Sequence, residues 1–186
     1  MATPYRRPLG ICAVAALFFL VFAGVAYAST FIVLGDDRYF LADTQATDKG
    51  QLREYIPAGQ TLTNWERLVS VRVFSDLKDP EAYLRRLGSQ VVHDHPAARA
   101  QLLQNPQTKA YVLDFMTFPP EATRPYYAEW NLMRATDVEG KGLIVYQYAR
   151  RIYDVGPQTG LIVNAERNKM MAPFSAAAFE EQEDTK

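Results

Sequence analysis

The sequence predicts an α+β domain: an antiparallel sheet with a three-stranded meander, packed by helices in an αβα sandwich-like arrangement. Three observations predict it. Residues 109–152 fall into three alternating runs separated by turn residues. Trp65 to Phe74 is a Val-rich alternating run, the mark of a half-buried strand. Between them, Asp79-Pro80-Glu81 opens a stretch with helical spacing of its apolar residues. With 186 residues, 48% of them hydrophobic and 22% charged, the chain can bury a real core and is not disordered over most of its length.

Taken in order, residues 29–52 mix a short apolar piece, Phe31 to Leu34, with a polar stretch and read as an irregular lead-in. Tyr55-Ile56-Pro57-Ala58-Gly59 carries turn chemistry. The strand from Trp65 to Phe74 sets Trp65, Val69, Val71 and Val73 on one face. In the following helix Asp79 is the N-cap, Pro80 fits the first position, and Tyr83, Leu84, Leu87 and Val91 form the apolar stripe. Pro96 interrupts, and Ala97 to Gln104 reads as a second short helix ending at Asn105-Pro106. The meander runs Lys109–Phe118, Tyr126–Thr136 and Leu143–Ile152, with Glu139-Gly140-Lys141-Gly142 as its hairpin turn. Leu161 to Phe174 closes the single domain, 53–174, either as a helix throughout or with Leu161-Ile162-Val163 opening as a short strand, and 175–186 is an acidic disordered tail.

The N-terminus reads as an export signal. Arg6 and Arg7 precede an apolar run over residues 9–26, and Ala26-Tyr27-Ala28 has the small-x-small form of a cleavage site. Residues 1–28 are thus a signal peptide or, if kept, an N-terminal membrane anchor in which 9–28 act as a tether. Its removal takes Arg6, Arg7 and no acid, so the formal net charge moves from −1 to −3. It also takes Cys12, the only cysteine, which leaves no disulfide and no thiolate chemistry. The expected location is periplasmic or secreted. A charge near zero without a basic stripe argues against nucleic acid as a partner.

The segments Tyr55-Ile56-Pro57-Ala58-Gly59, Asn64-Trp65-Glu66 and Tyr146-Gln147-Tyr148-Ala149-Arg150-Arg151, in this order of elements, resemble small exported bacterial domains of unknown function. Their layout is similar to the PsbP-like fold, an antiparallel sheet between helices. The resemblance implies a binding or assembly subunit rather than an enzyme, and it carries over no site residue.

Candidate chemistry is sparse. His93-Asp94-His95 holds both histidines of the chain, and it is the basis of an alternative reading as a metal-dependent hydrolase using His93, His95 and nearby acids. At a helix end the two rings diverge by about 200°, and no third ligand is in register. Gly140-Lys141-Gly142 lacks the rest of a phosphate loop. No cofactor motif is present. The meander is richer. Pairing its strands around their turns places Leu113, Phe115, Trp130, Leu132 and Val145 on a core face. The other face then holds Asp114, Tyr127, Glu129, Asn131, Tyr146, Tyr148 and Arg150. Asp114, Glu129 and Arg150 would line up across it. A tyrosine-rich face with a few polar groups has the composition of a ligand or partner surface, and equally of a sheet face partly covered by a helix with tyrosines at its rim. The reading is an exported, non-enzymatic binding or assembly domain of the cell envelope, its partner an envelope protein or a small ligand.

Overall fold

The computed structural model describes residues 29–48, 50–106, 108–119 and 125–184, so the proposed signal segment and Cys12 lie outside the described residues. Nine strands form one antiparallel sheet: β1 (Thr30–Leu34), β2 (Asp37–Thr47), β3 (Gly50–Ile56), β4 (Arg67–Phe74), β5 (Arg99–Gln104), β6 (Tyr111–Thr117), β7 (Ala128–Val138), β8 (Gly142–Ile152) and β9 (Gln182–Glu183). Their spatial order is β5-β6-β7-β8-β4-β3-β2-β1-β9. Among the described residues there are two helices, α1 (Pro80–Asp94) and α2 (Thr159–Ala176). No helix of the described residues is long and apolar enough to cross a membrane.

This corrects the α+β sandwich: the molecule is predominantly β, a large single sheet with two helices. Two segments account for the difference. The stretch read as an irregular lead-in is β1, β2 and the start of β3, and the stretch read as a second short helix contains β5. In β2 the polar residues Asp37, Asp43, Thr44 and Gln45 obscure a strand whose Tyr39 is fully buried. In β5, Ala, Leu and Gln favour a helix locally, and pairing of Arg99–Gln104 along Met116–Tyr111 overrides that preference. The chain beyond α2 is also structured: Phe179 is buried, and β9 pairs with Thr30 and Phe31.

The well-signalled elements form as their residues dictate. Asp79 caps α1 by accepting the Ala82 N–H at 2.9 Å, and Pro80 takes the first helical position. The β7–β8 hairpin turns through Gly140 and Gly142, both with positive φ (75° and 85°). A Cβ on Gly142 would stand 2.2 Å from the Phe74 carbonyl oxygen, so glycine is required there twice over.

The helices cover opposite faces. Leu84 of α1 packs against Leu113, Phe115, Met133, Leu143 and Val145. Val163, Met170 and Phe174 of α2 pack against Trp130, Leu132, Tyr148 and, from the far half of the sheet, Ile32 and Tyr39. The sheet curls around α2. Between β8 and β2 lie β4 and β3, about 14 Å of flat sheet, yet the rings of Tyr148 and Tyr39 meet edge to face at 6.4 Å. A third cluster, Ile56, Leu68 and Ala149 under Trp65, completes the outer face.

Candidate functional site

The register of the meander decides which side chains share a face. Thr117 pairs with Glu129 and Asp114 with Leu132; Trp130 pairs with Arg150 and Glu129 with Arg151. Both pairings differ from the sequence-based ones by an odd number of residues, and an odd slip exchanges the two faces. Trp130 and Leu132 therefore join Asp114, Tyr146, Tyr148 and Arg150 on the α2 side, while Glu129 and Asn131 lie on the other. The single tyrosine face and its Asp114–Glu129–Arg150 row do not form.

On the outer face, Glu129 accepts a hydrogen bond from Arg151 at 3.0 Å. The Arg151 guanidinium lies 3.8 Å from the Trp65 ring centroid and 4.4 Å from that of Tyr127. Beside this clamp, Gln147 donates to Asn131 at 2.7 Å and accepts from Ser70 at 3.2 Å. Asn131 and Ser70 are buried. Every polar group in this row has a partner within the sheet, so the row holds strands together and leaves little to offer a ligand.

On the inner face, Tyr148 is fully buried and donates its hydroxyl to Glu166, and burial raises its pKa well above the usual phenol. Tyr39 is raised from 10.0 to about 12, again mainly by burial. Tyr146 stacks on Phe179 with centroids 4.6 Å apart. Arg134, whose pKa burial lowers, closes the end of α2 by donating to the carbonyls of Ser175 and Ala177 at 2.9 and 2.7 Å. Arg150 pairs with Glu66 at 3.1 Å. Tyr39 and Tyr148 are core, and Tyr146 is half-buried against it.

Asp114 is different. It is 4% exposed and carries three charged or polar contacts. The Trp130 indole N–H donates to it at 2.7 Å, and Arg167 of α2 donates through Nε at 2.6 Å and a terminal nitrogen at 3.2 Å. Arg167 also bonds Asn164 at 2.8 Å and lies 5.8 Å from the Trp130 ring centroid. This bridge crosses the middle of a furrow between α2 and the β5–β6 edge. One hollow, about 660 Å³, lies between Ala98–Gln101 and Gly160–Arg167, with Asp114 and Met116 at its floor. The other, about 780 Å³, lies between Leu103–Pro106 with Thr108 on one side and Arg167–Ala176 on the other, with Val112 at its floor. Arg167 borders both. Apart from Arg99, Asp114 and Arg167, the furrow is lined by apolar, amide and hydroxyl groups, a composition suited to holding a partner.

Arg167 and β5 were missed in the sequence, though Arg167 left a signal. It stands in the buried stripe of α2, four residues after Val163 and three before Met170. A cation in a buried stripe demands a carboxylate on the facing sheet. His93 is exposed in the last turn of α1 and His95 caps it, and no group of three or more metal-ligating residues occurs among the described residues.

A protein-family model, of an uncharacterised family, matches residues 28–179 and so covers strands β1 to β8 and both helices. The chain belongs to that family. No curated protein and no solved structure matches the chain, and no PsbP-like likeness emerges from the comparisons.

Proposed function

We propose that the protein is an exported, non-enzymatic binding or assembly domain of the cell envelope, and that its partner seats in the furrow between α2 and the β5–β6 edge. The furrow carries this reading. It runs along α2 on both sides of Arg167, totals more room than one side chain or a few waters would need, and has a single fixed polar bridge at its centre. A partner gains orientation from that bridge and area from the apolar lining. Export rests on the N-terminal pattern of Arg6-Arg7, the apolar run and Ala26-Tyr27-Ala28. The resemblance of Tyr55–Gly59 and Tyr146–Arg151 to exported bacterial domains points the same way. The groups of the furrow favour binding over the alternative hydrolase: Asp114 is committed to Trp130 and Arg167 and is not free to activate water.

The test is capture of envelope proteins on the domain starting at Ser29. Ala172 is exposed on the furrow wall, so Ala172→Trp fills the furrow without touching the core. A partner retained by the native domain and by Val33→Trp, on the distant β1, but lost with Ala172→Trp, is the expected result. Retention by all three would place binding elsewhere.

A further inference from the structure

Building on the furrow reading, we propose that the occupant is an extended peptide segment of a partner protein that adds as a tenth strand to the free edge of β5. The two edges of the sheet differ. At one end the edge is β9, only Gln182–Glu183, followed by the three remaining residues of β1, a short, interrupted edge with a carboxylate that discourages further pairing. At the other, β5 pairs with β6 alone over its full length. Every second residue of β5 turns its N–H and C=O away from β6, and these groups need partners. The edge lacks the usual deterrents. Arg99 is its only charge, and it contains no proline or bulge.

Side-chain room exists on both faces of that edge. On the α2 side lie the two parts of the furrow. On the α1 side a separate hollow of about 580 Å³ lies against Ala100 and Leu102, beneath Gly88, Ser89 and Val92 of α1. Val92 is 46% exposed and borders this hollow and the near end of the furrow. An added strand directs successive side chains to opposite faces, so alternate residues enter the α1 hollow and the furrow. A compact ligand would use one of these spaces; an extended peptide uses both.

Charge selects the peptide. Arg99 stands at the start of β5 and Lys109 just beyond its end, and neither makes an ion pair among the described residues. The one carboxylate in the furrow, Asp114, is offset by Arg167. The edge is thus bracketed by two cations about 17 Å apart or more along the strand direction. A segment with an acidic residue toward each end and small or β-branched residues between them complements it. A second copy of this chain would bring the same cations together.

The probe is a synthetic peptide of about ten residues, alternating Val and Thr between two Asp residues, matched in length to the edge. Amide exchange and chemical shifts are followed by NMR on the domain starting at Ser29. Saturable binding is expected, with exchange of the outward amides in 99–104 slowed about tenfold or more. Methylating alternate peptide nitrogens on the edge-facing side removes the donors and should weaken binding about tenfold or more. Exchanging the terminal Asp residues for Lys, or Arg99→Glu in the protein, should weaken it several-fold, and added salt should act in the same direction. No saturation up to about 1 mM overturns the proposal. So does equal binding of the methylated peptide with unchanged exchange in β5, or protection of β5 through dimerisation without peptide. If shifts then cluster at Met171 and Ala172, the furrow still binds and only strand addition fails. Insensitivity of partner capture to Ala172→Trp is what removes the furrow itself.

Discussion

Arg167 and Asp114 show how one ion pair sets local geometry. Asp114 is buried, whereas the Arg167 side chain is 36% exposed, so the pair is only partly shielded from water. Removing the cation leaves the carboxylate with the Trp130 indole alone. Arg167→Met should therefore cost about 2–4 kcal/mol, toward the low end of a broken buried pair because water reaches the site. Denaturant midpoints check this, and adding Asp114→Leu to Arg167→Met should recover most of the loss. Tyr39 offers a second residue-scale test. Its pKa is raised to about 12 from 10.0, chiefly by burial. The unfolded chain ionises first as pH rises, so Tyr39 contributes stability that is whole below pH 10 and is lost between pH 10 and about 12. Tyr148, raised for the same reason, adds to this alkaline decline. Tyr39→Phe should flatten part of the slope of stability against pH above pH 10, measured by urea denaturation at fixed pH values.

At the scale of elements, the turns carry most of the specification. Gly142 combines φ of 85° with a backbone approach that no side chain tolerates. Gly59→Ala should cost about 1–3 kcal/mol in thermal or urea unfolding, from the strain of its φ of 81° alone, since no atom stands within 4 Å, and Gly142→Ala should cost more, because the backbone clash adds to the same strain. The same turns explain what could be read from sequence. The capped helix α1, strand β4 and the three meander strands are legible because cap, period and turn residues agree. Register is not, because it depends on where each loop is centred. Val138 pairs with Gly142, so the β7–β8 turn is centred on Gly140, one step from a two-residue turn at Glu139-Gly140. Thr117 pairs with Glu129, which centres the preceding loop at residue 123. Each odd displacement moved Trp130 and Leu132 to the side of Asp114 and sent Glu129 and Asn131 away from it. β5 is hidden for another reason: Arg99–Gln104 becomes a strand only because β6 is there to pair with it.

Across the whole molecule, the curled sheet and α2 form one inner core, and α1 a second on the outer face. The curl brings Asp37 of β2 to Arg67 of β4 at 2.5 Å and within 3.5 Å of Lys169 on α2. Two strands separated by β3 are thereby tied to each other and, through Lys169, to α2. On the other side α2 meets the β5–β6 edge through Arg167, and the furrow opens there. One flank is tied by ion pairs and the other is open, which fits the proposed seating of a partner in the furrow. Photo-cross-linking in the cell tests this most directly, with a photoreactive residue at Ala172 in the furrow or at Glu54 on the opposite face of the sheet. A discrete adduct from position 172, absent from position 54 and lost when Leu103→Asp is added on the facing wall, is the result predicted. Adducts of equal yield from both positions, or from position 54 alone, would contradict it.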